Sequence, residues 1–247
     1  MTDSISEMTK PPDEERGESM NSKVSEVIED YKSYLDYLKG MGIEALPIGR
    51  TPQEKDSRSS SATLKDVREE LGDCKRCKLH PTRRTIVFGE GNEKARLMFI
   101  GEGPGYDEDV QGRPFVGKAG QLLTKIIQSI ELERDEVYIA NIVKCRPPQN
   151  RTPEPDEILA CQPFLLKQIE IVRPKIICCL GAVATQSLLQ TAQKITALRG
   201  RAFDLHGVRV IPTYHPAFLL RNPERKKEVW EDMKQIAAWL KEFGGAV

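Results

Sequence analysis

The chain has few of the features that mark secreted or membrane proteins. Its 247 residues include only six cysteines, far below the density of a disulfide scaffold. The first forty residues lack the basic start, apolar segment and cleavage site of a signal peptide. The longest apolar run, Ile176 to Ala184, has nine residues, about half of what a membrane span needs. We therefore expect a soluble, cytoplasmic protein with no membrane partner.

A net charge is also absent, since 37 basic residues balance 37 acidic ones. The balance is uneven along the chain. Residues 1–73 carry 10 basic and 17 acidic side chains, and residues 74–247 carry 27 and 20, which gives −7 and +7. This asymmetry indicates an acidic tail joined to a basic domain that could bind nucleic acid, although two ordinary solvated surfaces would look the same.

The first 62 residues differ in composition from the rest. Residues 1–22 are polar and charged without a periodic apolar face, which predicts disorder. Apolar residues then recur at helical spacing over residues 24–39, and residues 47–61 have the composition of a flexible linker. We expect residues 1–62 to form a mostly disordered extension with one amphipathic helix, and residues 63–247 to form the folded domain.

After residue 62 short apolar segments alternate with amphipathic ones. The predicted strands are Leu97–Gly101, Val137–Val143, Lys175–Leu180 and Val208–Tyr214, and the predicted helices are Lys118–Ile130, Pro155–Ile171, Ala182–Thr191 and Pro223–Phe243. Strands without strict alternation, each followed by a helix, indicate a mainly parallel sheet covered on both faces, an α/β fold.

Three polar motifs follow predicted strands, where ligands bind in such sheets. They are GEGPG at 101–105, NIVKCRPP at 141–148 and HPAFLLRNP at 215–223. Asn141 lies among apolar residues, so its carboxamide must find partners; it suits the edge of a nucleobase or a purely structural role. Phe115, in a loop flanked by glycines, is either a stacking platform or a core residue.

Four of the six cysteines have a spacing that suits a metal site. They are Cys74, Cys77, Cys145 and Cys161. Four thiolates can hold a zinc ion or an iron-sulfur cluster, and the spacing does not distinguish these from each other or from unligated thiols. Cys178 and Cys179 are adjacent on a strand and point to opposite faces, so we interpret them as buried apolar residues.

Taken together these motifs resemble the iron-sulfur uracil-DNA glycosylases of family 4. The resemblance covers about residues 71–240 and rests on six segments in order: CKRCKLHPTR, GEGPGYDED, GRPFVGKAGQLL, NIVKCRPPQNRTP, KIICCLG and HPAFLLRNP. It implies a three-layer α/β/α sandwich, a 4Fe-4S cluster on the four cysteines, and a monofunctional enzyme that excises uracil from single- or double-stranded DNA. We also expect a monomer.

The resemblance also implies roles for individual residues. Phe115 would stack on the uracil ring, and the Asn141 amide would pair with O4 and N3–H, a pattern that cytosine reverses. His215 would donate to O2 as the base leaves, and Glu102 would orient water and favour the sugar cation. The backbone at Gly103 would let the ring approach.

Two departures from better-known relatives affect these roles. Family 1 enzymes carry an Asp and a Tyr where this chain has Gly103 and Gly105, so Tyr106 and Asp109 become candidates for activating water or excluding thymine. A covalently trapping branch carries a His-containing insert after the RP motif, which this chain lacks, so we expect turnover.

The candidate DNA contacts lie beside two of these motifs. The basic residues would hold phosphates and one of the leucines would fill the gap left by a flipped base. The candidates are Arg83, Arg84, Leu219, Leu220, Arg221 and Lys226. Two other functions remain open: a cluster-bearing module that binds nucleic acid or transfers electrons without cleavage, and a glycosylase for another damaged base.

Overall fold

The structure is a computed structural model that describes Lys32 and residues 62–244. The N-terminal extension predicted for residues 1–62 therefore lies almost wholly outside the described residues. Within its predicted helix, Lys32 alone is described, in a helical conformation. The disorder and the linker stay predictions.

A six-stranded sheet forms the middle of the folded domain. In chain order its strands are β1 (Glu90–Gly91), β2 (Leu97–Gly101), β3 (Tyr138–Asn141), β4 (Ile176–Leu180), β5 (Phe203–Leu205) and β6 (Val208–Thr213). The spatial order is β1-β3-β2-β4-β6-β5, in which the four central strands run parallel and the two edge strands antiparallel. The four predicted strands are the four central ones.

Helices connect these strands. They are α1 (Leu64–Leu71), α2 (Tyr106–Gln111), α3 (Lys118–Gln128), α4 (Pro155–Val172), α5 (Ala182–Leu189), α6 (Ile195–Leu198), α7 (Pro216–Arg221) and α8 (Lys226–Glu242), with 3-10 turns at Pro148–Asn150 and Pro223–Arg225. All four predicted helices are present. The helices that sequence patterns missed have at most eight residues, too short to show a clear period.

Two apolar cores lie between the sheet and the helices that pack on its two faces. On one face, Met98 and Ile100 of β2 pack with residues of α1, α4 and α5. On the other face, Leu97 and Phe99 pack with residues of α3 and α8. Successive side chains of β2 therefore point alternately into the two cores. The predicted three-layer α/β/α sandwich with a mainly parallel sheet is confirmed. Within the described residues, no helix combines the length and apolarity that crossing a membrane requires.

The sheet brings the three polar motifs to one edge. Gly101 at the end of β2 pairs in register with Asn141 at the end of β3. His215 follows the end of β6, two positions along the sheet from β2. Because the three strands are parallel, their carboxyl ends open on the same side of the molecule.

Candidate active site

A cavity of about 540 Å³ lies at this edge of the sheet. Its lining includes Glu102, Gly103, Phe115, Asn141 and His215, so every residue expected to bind a base faces one space. A volume of this size suits a small planar ligand. The structure thus brings together four separate stretches of the chain.

Asn141 lines the cavity and has a side-chain acceptor without a hydrogen-bond partner among the described residues. The residue is 1% exposed, and its Oδ1 has no hydrogen-bond partner among the described residues. An unpaired buried polar atom costs about 1 to 3 kcal/mol, and native proteins seldom retain one without a function. The carboxamide is therefore available to a ligand that presents a donor.

Phe115 is held against Asn141 by an unusual backbone. Its φ of 52° lies in the left-handed region, which costs a bulky residue about 1 to 3 kcal/mol. Two glycines make the position possible: a Cβ on Gly120 would lie 1.9 Å from the Phe115 carbonyl oxygen, and one on Gly101 would lie 2.5 Å from both the Phe115 ring and Asn141 Oδ1. The ring centroid lies 5.7 Å from that of His215. Such strain is typical of a functional position.

His215 is fixed in one tautomer. It is the N-cap of α7, and its Nδ1 accepts a hydrogen bond of 3.1 Å from the backbone N–H of Ala217. The ring proton must then reside on Nε2. Burial and the nearby charge of Arg221 together lower the pKa of His215 to about 4, against an opposing effect of Glu108. The imidazole is therefore neutral near pH 7 and offers one N–H donor.

Glu102 directly follows β2 and faces the same cavity. Its burial raises the pKa of the carboxyl above its ordinary value. A raised pKa moves the carboxylate toward the range where it acts as a base.

Glu108 joins the two loops of the site, a role that the sequence did not indicate. Its carboxylate accepts from the N–H groups of Gly105, Val116 and Gly117 at 3.1, 2.8 and 2.9 Å. The loop after β2 is thereby tied to the loop that carries Phe115. The only sequence signal was a run of three acidic residues.

Tyr106 and Asp109, the two candidates for activating water or excluding thymine, lie in different environments. Asp109 is 1% exposed and its Oδ1 accepts from the backbone of Arg84 at 2.9 Å, so the catalytic interpretation of Asp109 is wrong and the residue is structural. Tyr106 lines the cavity and is 51% exposed. The guanidinium groups of Arg84 and Arg146 lie 5.4 and 5.1 Å from its ring centroid.

The four spaced cysteines lie close to one another, since their side chains interact electrostatically. All are free thiols that belong to or pack against the same core. Burial raises the pKa of Cys161, and the nearby thiols of Cys77 and Cys74 raise it further. In the part of the chain that the structure describes, no three Cys, His, Asp or Glu side chains are placed to hold one metal ion. Four cysteine thiolates are the usual ligands of an iron-sulfur cluster, and they also form zinc sites.

Each of these four sulfurs also accepts an N–H donor. Arg76 donates to Cys74 Sγ at 3.3 Å, Arg83 to Cys145 Sγ at 3.7 Å, and the Lys144 backbone to Cys161 Sγ at 3.2 Å; the Leu79 backbone donates to Cys77. Donors of this kind stabilise thiolate ligands. Cys178 and Cys179 are fully buried, as expected of core residues. The four-cysteine set therefore fits an iron-sulfur cluster.

Two of the predicted DNA contacts need correction. The Arg83 side chain is 7% exposed and donates to Asp73 Oδ1 at 2.6 Å, so it supports the cysteine loop and is not free for a phosphate. Leu219 is 1% exposed, whereas Leu220 is 45% exposed. Adjacent residues of α7 point in different directions, and only Leu220 faces solvent. The other candidates, Arg84, Arg221 and Lys226, are exposed.

This arrangement can bind a planar ring and assist its departure. The Phe115 ring provides a face, the Asn141 amide an acceptor and a donor, and His215 a neutral N–H donor. Glu102 provides a basic oxygen on the same cavity wall. Such a set suits the breaking of a bond to a base that leaves with negative charge.

Comparisons with known proteins agree with this chemistry. Residues 88–234 match the uracil DNA glycosylase superfamily. A type-4 uracil-DNA glycosylase of Thermotoga maritima is 48% identical over 182 residues, which are 72% of this chain and 95% of that protein. Its counterpart from Sulfurisphaera tokodaii is 49% identical over 183 residues, 70% of this chain and 83% of the relative. The type-4 protein of Archaeoglobus fulgidus is 43% identical over 182 residues, with 70% and 92% covered.

Proposed function

Because the chain belongs to the uracil DNA glycosylase superfamily, and within it to the type-4 uracil-DNA glycosylases, we propose that it excises uracil from DNA by hydrolysis of the N-glycosidic bond. The product is an abasic site, the starting point of base excision repair. The observation that carries this proposal is the buried Oδ1 of Asn141, which lines the cavity and has no hydrogen-bond partner among the described residues.

Recognition requires the uracil to leave the helix and enter the cavity. Asn141 Oδ1 accepts from uracil N3–H, and its amide nitrogen donates to O4. Cytosine presents an acceptor at N3 and a donor at C4, so both contacts become repulsive. The ring lies on Phe115.

Bond breaking separates charge between base and sugar. The bond between C1′ and N1 breaks, the electron pair stays on uracil, and negative charge develops on O2. The Nε2–H of His215 donates to that oxygen, and this hydrogen bond strengthens as the bond breaks. The neutral imidazole carries the Nε2–H that this contact needs, because its Nδ1 accepts from the Ala217 backbone.

Glu102 acts on the other product of the broken bond. Its carboxylate stabilises the cation at C1′ and accepts a proton from the water whose oxygen bonds to C1′. The loop backbone at Gly103 permits the close approach of the ring.

The pH profile follows from these two groups. Glu102 must be ionised, so the single-turnover rate should rise with pH through the raised pKa of Glu102 and then level off. His215, with a pKa of about 4, stays neutral over that range. Glu102→Gln should lower the rate and abolish this rise. An unchanged acid limb in Glu102→Gln would contradict the assignment.

We assign a 4Fe-4S cluster to Cys74, Cys77, Cys145 and Cys161. These four residues would hold the cluster between the loop after α1, which carries Cys74 and Cys77, and the stretch from Cys145 to Cys161, which extends into α4. The chemistry of the cavity uses none of these sulfurs, so its role is structural.

Cys145→Ser tests the cluster. The purified parent should be brown, and the variant should lose the broad visible absorbance because one of four ligands is gone. Cys178→Ser is the matched control, since it changes a buried thiol outside the set and should keep the colour. A colourless parent with stoichiometric zinc would contradict the assignment.

DNA contacts complete the proposal. Arg84, Arg221 and Lys226 hold phosphates, and Leu220 enters the helix where the base has left. The substrate is uracil in single- or double-stranded DNA, and the enzyme acts as a cytoplasmic monomer. Residues 63–247 carry the activity.

A uracil-containing oligonucleotide tests the function directly. Incubation with the full chain should leave a strand that breaks only after alkali, because a monofunctional glycosylase leaves the backbone intact. The same oligonucleotide with cytosine should stay whole. Binding without alkali-dependent breakage would favour the alternative of a non-cleaving module.

A further inference from the structure

Lys144 is a buried cation that the proposed reaction does not use. It is 1% exposed and lies in the segment between the base-reading Asn141 and the cluster ligand Cys145. A buried ammonium is costly unless it is hydrogen-bonded. The hydrogen bonds of Lys144 therefore indicate which groups it positions.

The Lys144 ammonium donates two hydrogen bonds. Lys144 Nζ donates to the backbone oxygen of Asn141 at 2.8 Å and to Gln168 Oε1 at 2.6 Å. Gln168 is itself fully buried, and its Nε2 donates to the Phe88 carbonyl at 2.9 Å. The cation is thus anchored in α4 and reaches the end of β3.

Among the described residues, no strand pairs with the Asn141 carbonyl. The edge strand β1 covers only Ile139 and Tyr138 of β3, so the ladder stops before Asn141 on that side. On the other side, the next N–H along, that of Ile142, donates to the Gly101 carbonyl at 2.9 Å. The peptide between Asn141 and Ile142 is therefore fixed at its N–H by β2 and at its oxygen by Lys144.

We propose that Lys144 is a positioning residue that orients the Asn141 carboxamide toward the base. The direction of the Asn141 side chain depends on the orientation of the peptide between Asn141 and Ile142. No hydrogen bond through Oδ1 to a described residue fixes the carboxamide itself. The backbone N–H of Lys144 donates to Cys161 Sγ, so the same residue joins the base-reading end of β3 to the cysteine set. This inference rests on the proposed reading of uracil by Asn141.

Lys144→Met and Gln168→Met form a matched pair for the test. Both variants lose the bond between Lys144 and Gln168, and both replace a buried polar side chain with an unbranched apolar one. Only Lys144→Met also loses the bond to the Asn141 carbonyl. Lys144→Gln is a second variant, with a polar side chain too short to reach that carbonyl.

Three readouts separate positioning from stability: the single-turnover rate on uracil DNA, the affinity for DNA with a stable abasic analogue, and the midpoint of thermal unfolding. Lys144→Met should lose about a hundredfold in rate, as expected for a misplaced binding group, and should lose selectivity for uracil over cytosine. Its affinity for abasic DNA, which has no base to read, should not change. Gln168→Met should unfold at a lower temperature than the parent but keep its rate and selectivity.

Several results would overturn the proposal. One is a rate loss in Lys144→Met no larger than that in Gln168→Met, and another is an equal loss of affinity for abasic DNA. Failure of both Lys144 variants to fold with the parent's visible absorbance would assign the residue to folding alone. A parent that does not excise uracil would instead contradict the proposed function, so the two failures are distinguishable.

Discussion

Replacing His215 with Ala should lower the single-turnover rate of uracil excision by about a hundredfold or more, while DNA binding stays close to that of the parent. A preorganised donor to an oxygen that gains charge in the transition state typically contributes this much. The donor is Nε2–H, since Nδ1 already accepts from Ala217 at 3.1 Å. Rate and binding should be measured separately, with excess enzyme and with an abasic analogue.

His215 also caps α7, so the variant must be separated from a helix-end defect. Loss of an N-cap costs about 0.5 to 2 kcal/mol. His215→Asn keeps a side-chain cap but cannot present Nε2–H, and it should be as slow as His215→Ala. His206→Asn is the matched control: His206 lies on the β5–β6 turn with φ of 51°, a conformation that Asn tolerates. A parent-like rate in His215→Ala would contradict the leaving-group role.

Asn141→Asp should reduce uracil excision by about tenfold to a hundredfold and shift the selectivity toward cytosine. The carboxylate replaces the donor to uracil O4 with an acceptor, and a mismatched buried polar contact costs about 1 to 3 kcal/mol. The change keeps the number of non-hydrogen atoms in the side chain, so packing against Gly101 and Phe115 is retained. The measurement is the ratio of single-turnover rates on uracil and cytosine oligonucleotides.

Asn92→Asp provides the control for this charge change. Asn92 is exposed, and its Oδ1 accepts from the Lys94 backbone at 2.9 Å, a contact that a carboxylate also makes. The variant adds the same charge away from the cavity and should keep the parent's ratio. Unchanged selectivity in Asn141→Asp would mean that another group reads the base.

Sequence patterns located the central strands because both faces of these strands are buried. A segment such as LMFIG is then continuously apolar and bounded by polar residues. The two edge strands have two and three residues, EG and FDL, and carry no such signal. Their existence depends on pairing with neighbours that the sequence does not reveal.

The residues expected to contact a base could be placed together from the sequence because most of them stand in motifs at strand ends, and they line one cavity. The residues that hold them in place could not. Glu108 and Lys144 act through direct hydrogen bonds to backbone groups. An acidic run, or a lysine beside apolar residues, does not indicate which backbone groups these side chains reach. Lys144 next to Val143 and Cys145 was nevertheless a signal, since a cation in an apolar stretch needs partners.

The errors in the DNA surface have a similar cause. Leu219 and Leu220 are neighbours, and only the packing of α7 decides which one is buried. Arg83 resembles any loop arginine in sequence, yet Asp73 and Cys145 surround it in the fold. Charge and exposure of a single residue depend on contacts that spacing along the chain does not encode.

A crystal structure of the full chain with free uracil would show whether this cavity binds the base. We predict that the base occupies this cavity and stacks on Phe115, with N3 and O4 within hydrogen-bonding distance of the Asn141 carboxamide and O2 facing His215 Nε2. Uracil bound elsewhere, or in this cavity with O2 toward Asn141, would contradict the account.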